Sequence, residues 1–155
     1  MIAVSNTSPL ILFDKVDHLW ILGRLFNKVL IPPSVDKEWL RPGDYVTPGW
    51  IFVENLSNKE LSDAEKFYLE VDIGEAEAIA LFRSIKADTL LFDDLKARRL
   101  AKSLEIPVIG TLGLLIAAKH KGIISEIKPL LEGLKRHRFY ISDEALKMAL
   151  LLAKE

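Results

Sequence analysis

The chain has 155 residues, half of them apolar and 28% charged, with no cysteine and a formal net charge of −1. That length suits one domain, expected over residues 1–155, with one buried core. The lack of cysteine excludes disulfides, thiolate zinc sites and cysteine nucleophiles, so any metal must be held by oxygen or imidazole. No apolar run reaches the roughly 18 residues of a membrane span, and Met1-Ile2-Ala3-Val4 carries no charged leader. The expectation is a cytoplasmic protein with no membrane attachment.

The small net charge hides an asymmetry. Lys96 to Arg138 holds ten Lys/Arg against three acids, a balance of +7, so the remainder carries −8. A basic half beside an acidic half suits a protein that attracts a polyanion and gathers carboxylates around a cation. A lysine-rich solvated helical surface would give the same count.

In chain order, Ile2–Val4 reads as a first strand that runs into Ser5-Asn6-Thr7-Ser8, where Ser8 before Pro9 has the spacing of a helix N-cap. Asp17–Phe26 follows as a helical pattern and Val29–Ile31 as a second strand. Pro33 and Ser34 suit a helix start; Val35 and Trp39 mark its apolar side, and Glu38 borders that side. Arg41 to Gly49, rich in Pro and Gly and flanked by tryptophans, reads as a loop before a third strand, Ile51–Val53. Ser62-Asp63-Ala64-Glu65 matches a capping box, and Asp72 with Glu75 has the same spacing. Thr89–Phe92 and Pro107–Ile109 read as the fourth and fifth strands. Helices are expected over Lys96–Leu104, Leu112–Lys121, Glu126–His137 and Asp143–Ala153. The alternation indicates βαβ units around a parallel sheet.

Ligands of open parallel sheets bind at the carboxyl ends of the strands, which directs attention to the polar residues that follow strands one and four. Leu90-Leu91-Phe92 runs into Asp93-Asp94, two adjacent carboxylates that repel unless a cation or base lies between them; one of them also suits a helix cap. In Gly74-Glu75-Ala76-Glu77-Ala78-Ile79-Ala80-Leu81-Phe82, residues 75, 78, 79 and 82 share a face. Glu75 is thereby set on the core-facing stripe, where a carboxylate needs a partner. A metal, a basic side chain or the Asp72 amide would serve. Glu77 lies about 200° round the helix and is expected on the surface or behind the ligands. None of His18, His120 and His137 has metal-ligand spacing with another.

Together, Val4-Ser5-Asn6-Thr7-Ser8-Pro9-Leu10-Ile11, Ile31-Pro32-Pro33-Ser34-Val35-Asp36-Lys37-Glu38, the Gly74–Leu81 segment, Leu90-Leu91-Phe92-Asp93-Asp94 and Pro107-Val108-Ile109-Gly110-Thr111-Leu112-Gly113 resemble the PIN-domain family. The likeness spans nearly the whole chain and is strongest to the small prokaryotic branch related to toxin nucleases of toxin–antitoxin pairs. It implies a three-layer α/β/α fold with a central, mainly parallel sheet of about five strands. It also implies Mg²⁺- or Mn²⁺-dependent hydrolysis of RNA. Carried over by motif, the metal ligands fall on Asn6, Glu38, Glu75 and Asp93 or Asp94, with Glu38, Glu75, Asp93 and Asp94 as the catalytic set. Asn6 departs from the Asp usual among nuclease members and removes one negative charge, so weaker metal binding is expected.

On this reading Thr7, Ser8 and Thr111 orient ligands or phosphate, although helix capping explains such hydroxyls as well. Lys96, Arg98 and Arg99 would grip the RNA backbone or neutralise the acidic cluster. The resemblance adds an antitoxin protein and a homodimer as partners. Two other readings stay open: a PIN-like fold with lost or weakened catalysis that acts as a binding module, supported by Asn6, and a receiver-like phospho-switch. The switch is disfavoured because the Asp pair follows the fourth strand and Lys128-Pro129 lies in a helical pattern.

Overall fold

The computed structural model describes residues 1–155. Five strands, β1 (Ile2–Ser5), β2 (Lys28–Ile31), β3 (Ile51–Val53), β4 (Thr89–Leu91) and β5 (Val108–Ile109), form one sheet in the order β3-β2-β1-β4-β5. Every pairing is parallel, with Val4 opposite Leu90 and Leu30 on its two sides. Successive strand residues enter opposite cores: Ala3, Val29, Ile31 and Leu91 face one apolar cluster, while Val4, Leu30, Leu90 and Phe92 face the other. A sheet buried on both faces has strands that are apolar throughout, which is why these read as short continuous runs.

One face is covered by α1 (Thr7–Lys15), α2 (Trp20–Leu25), α7 (Thr111–His120), α8 (Lys128–Arg136) and α9 (Asp143–Leu152). The other is covered by α4 (Asn58–Glu65), α5 (Ile73–Ile85) and α6 (Leu95–Ser103). The short α3 (Pro33–Glu38) sends Val35 into the first of these cores and meets α5 at the sheet edge. The result is the three-layer α/β/α fold. No helix is long and apolar enough to cross a membrane.

Several boundaries differ from those expected. α1 starts at Thr7 with Asn6, not Ser8, at the N-cap; Pro9 then occupies the third helical position, where its missing N–H forfeits no intrahelical bond. The capping box of α4 is Ser57 with Glu60, and Ser62 to Glu65 lie inside the helix. The Asp72–Glu75 box is present at the start of α5. Asp17 takes a left-handed φ of 57°, which ends the first helical segment and confines α2 to Trp20–Leu25. Pro129 lies in the first turn of α8, which therefore begins at Lys128. The Arg41–Gly49 loop is pinned by the Arg41–Asp36 ion pair, by Arg41 over the Trp39 ring and by the Tyr45 hydroxyl donating to Asp14.

Candidate functional site: an acidic cavity at the carboxyl edge

The sheet order reverses at β1, whose neighbours β2 and β4 are reached by connections that run in opposite directions. Such a switch point leaves a crevice beyond the strand ends. Asn6, directly after β1, enters this crevice, as do Glu75 and Asp72 from the start of α5, Glu38 from the end of α3, and Asp94 with Lys96 from the start of α6. They line a cavity of about 450 Å³, bordered also by Ser8 and by Tyr68 and Leu69 of the turn after α4.

Asn6 and Glu75 form its buried floor, 7% and 4% exposed. Glu75 serves two structures at once. Its Oε1 accepts from the Asp72 amide at 3.2 Å, while the Asp72 side chain accepts from the Glu75 amide at 2.8 Å, which closes the capping box. Its Oε2 accepts from Asn6 Nδ2 at 3.3 Å. No basic side chain pairs with it. Burial, with further contributions from the Asp72 and Asp94 charges and the Asp72 hydrogen bond, pushes its pKa up to about 7, against the lowering effect of the Asp72 amide. That Nδ2 contact leaves Asn6 Oδ1 buried and without any hydrogen-bond partner. A Cβ at position 74 would stand 3.2 Å from this oxygen, so Gly74 leaves it the room it has.

The two aspartates part company. Asp94 lines the cavity and caps α6, its Oδ2 accepting from the Ala97 amide at 2.9 Å. Asp93 turns to α7, where it accepts from both the Thr111 amide and the Thr111 hydroxyl at 2.7 Å. Burial raises the Asp93 pKa, against the opposing pull of Thr111 and of the Arg98 guanidinium. Of the three basic residues at the start of α6, Lys96 reaches the cavity. Arg98 faces Asp93, with its Nε buried and unpartnered, and Arg99 is exposed outside the cavity. Thr7 is buried with an unpartnered hydroxyl, and Thr111 is committed to Asp93. Glu77, expected on the surface or behind the ligands, is 9% exposed and accepts a hydrogen bond from Ser34, because α3 packs over that side of α5.

The donor set is oxygen throughout, and the orphaned Asn6 oxygen suits a hard cation, which takes carbonyl and carboxylate ligands. No three Asp, Glu or His side chains stand close enough together to form a ready-made metal cluster. A cation would therefore take Asn6 and Glu75 from the floor and draw in Asp94 or Glu38, or reach them through water. A larger cavity of about 630 Å³ lies elsewhere, beside the end of α1, with Lys15 and Arg136 balanced by Asp17 and Glu126. It has no such carboxylate concentration. Tyr68 and Leu69 were not legible as cavity residues, since nothing in an isolated turn sequence marks which way it faces.

The chain is thus an all-parallel α/β/α protein with an acidic crevice at the switch point of its sheet. The PIN domain family model matches residues 2–155, and the chain belongs to that family. PIN domains generally use divalent metals. The chain has no match among the curated proteins or among the solved structures.

Proposed function

We propose that the protein is a divalent-metal-dependent ribonuclease, with Mg²⁺ or Mn²⁺ held at the acidic cavity. The observation that carries this reading is the buried, unpartnered Asn6 oxygen beside a Glu75 carboxylate that has no basic partner. Asn6 and Glu75 would bind the ion, with Asp94 and Glu38 completing the set directly or through water. Asp93 acts from behind by fixing Thr111 and the start of α7. The bound ion supplies Lewis acidity toward a phosphate and a water. Without a cation, burial holds the Glu75 pKa near 7, so an ion that binds there at neutral pH displaces a proton from it. Asp94 is oriented by its cap to the Ala97 amide, which leaves its other oxygen free for the ion. Lys96 stands where it can meet the phosphate backbone of an incoming RNA, and Arg99 lies further along the same helix.

A second reading, a PIN-domain binding module with weakened catalysis, is favoured by the neutral Asn6 and by the absence of a preassembled carboxylate cluster. RNA cleavage in Mg²⁺ or Mn²⁺ by wild type, Glu75→Gln and Asn6→Asp separates the two. Cleavage by wild type that Glu75→Gln abolishes supports the nuclease. RNA binding without cleavage, with activity appearing in Asn6→Asp alone, supports the binding module. We further propose a toxin role, with an antitoxin partner, a homodimer and cytoplasmic RNA as target; membership of the PIN domain family supports the RNA target. Growth arrest on expression, relieved by a co-expressed neighbouring gene product, tests it.

A further inference from the structure

We propose that Glu77, acting through Ser34, is a positioning residue that sets where Glu38 stands at the acidic cavity, an inference that rests on the metal-site reading above. Glu77 is nearly buried, yet it forms no ion pair with Lys, Arg or His. Its one hydrogen bond is accepted from the Ser34 hydroxyl at 2.5 Å. A carboxylate taken out of water without a cation is costly, and a charge-assisted hydrogen bond offsets part of that cost. That bond crosses from α5 to α3.

What it fixes follows from the short length of α3. Six residues give that helix few backbone bonds of its own, so its orientation depends on what it packs against. Val35 provides one fixed point: its Cγ2 would lie 3.3 Å from a Cβ at position 74, so the two helices approach closely at Gly74. Val35 and the buried Trp39, four residues apart, hold the core side of α3. The Ser34–Glu77 bond holds the adjacent flank, the one that carries Glu38, and so sets the roll of α3 against α5. Ser34 and Glu38 are four residues apart and therefore lie on the same helical face, one turn from each other. Fixing Ser34 thus fixes the side of α3 from which Glu38 projects into the cavity. Glu75 and Glu77, on different faces of α5, divide the work: one forms the cavity floor and the other holds the helix that brings Glu38 to it.

The test is calorimetric Mn²⁺ binding to the full chain without RNA, with thermal unfolding measured in parallel. Ser34→Ala and Glu77→Ala should each weaken Mn²⁺ binding about tenfold, the lower end of the effect of residues that orient metal ligands, and no more together than singly. Glu77→Gln keeps an acceptor for Ser34 and should retain most of the affinity. In a Glu38→Ala background, Ser34→Ala should have no further effect on affinity. Lower thermal stability with unchanged Mn²⁺ affinity in Ser34→Ala would overturn the inference while leaving the metal site intact. So would an equal loss of affinity with or without Glu38. If wild type binds no Mn²⁺, the metal-site reading fails and takes this inference with it.

Discussion

Two carboxylates drawn away from water, the buried Glu75 at the start of α5 and the half-buried Asp93 just after β4, differ in what answers their charge. Burial raises the pKa of both. Asp93 receives two donors from Thr111 at 2.7 Å and faces the Arg98 guanidinium, so its lone pairs are engaged and its charge is opposed. Glu75 receives one amide and one longer contact from Asn6, with the Asp72 and Asp94 charges nearby and no cation. Burial alone therefore does not mark a functional carboxylate. The distinguishing feature is whether the protein itself supplies the counter-charge. Asp93 is a strut between β4 and α7, whereas Glu75 is left open to an external cation.

Glu75→Gln should break this contrast most sharply. Mn²⁺ affinity should fall by about 100-fold, the upper end of the change expected when a ligand environment is disturbed, measured by calorimetry. The metal-free protein should behave in the opposite sense. The folded-state pKa of about 7 lies above the ordinary glutamate value of 4.5. The native state therefore binds more protons between those values, and stability falls as pH rises through that window. Gln preserves the capping-box geometry and removes the charge. In chelator, the variant should be more stable than wild type by about 2–3 kcal/mol near pH 8, with the difference vanishing below about pH 4.5. A constant difference across that range in denaturant titrations would show that the Glu75 charge is not the cause. Asp93→Ala should do the reverse. It leaves the Thr111 amide without its partner at the start of α7 and should cost about 2–3 kcal/mol of stability, with Mn²⁺ affinity little changed.

This contrast also shows how far the sequence could be read. The parallel sheet was visible because strands buried on both faces are apolar at every position, and all five expected runs are strands in the fold. Glu75 was visible because helical periodicity set it in line with Ala78, Ile79 and Phe82. The direction of Asp93 and Asp94 was not, because a residue just beyond a strand is no longer governed by strand alternation. Asp94 was claimed by the first turn of α6 and Asp93 by Thr111, eighteen residues away. For Glu77 the choice between the surface and a place behind the ligands stayed open for a related reason: the face opposite a core stripe is exposed unless another element covers it, and α3, anchored by Val35 and Trp39, does so. Local spacing located the acids. Long-range packing decided which of them meet.

Asp94 and Lys96 sharpen the contrast with smaller effects. Asn is as good an N-cap as Asp, so Asp94→Asn should change stability by less than about 0.5 kcal/mol. It removes one of the charges that raise the Glu75 pKa, and it should weaken Mn²⁺ binding about tenfold. If Asp93→Asn weakens Mn²⁺ more than Asp94→Asn does, the division between strut and ligand is wrong.

Lys96→Ala should have the smallest effect and the most specific signature. Lys96 stands at the cavity mouth among Glu38, Asp72, Glu75 and Asp94, so in the free protein it also offsets their charge. Were that its main role, its loss would alter Mn²⁺ binding and leave the salt dependence of RNA binding alone. As a phosphate contact, it should instead lower the salt slope of RNA affinity by about one, because one fewer counterion is released, with little discrimination between sequences. RNA affinity measured over a series of salt concentrations, beside a single Mn²⁺ titration, distinguishes the two roles of this one lysine.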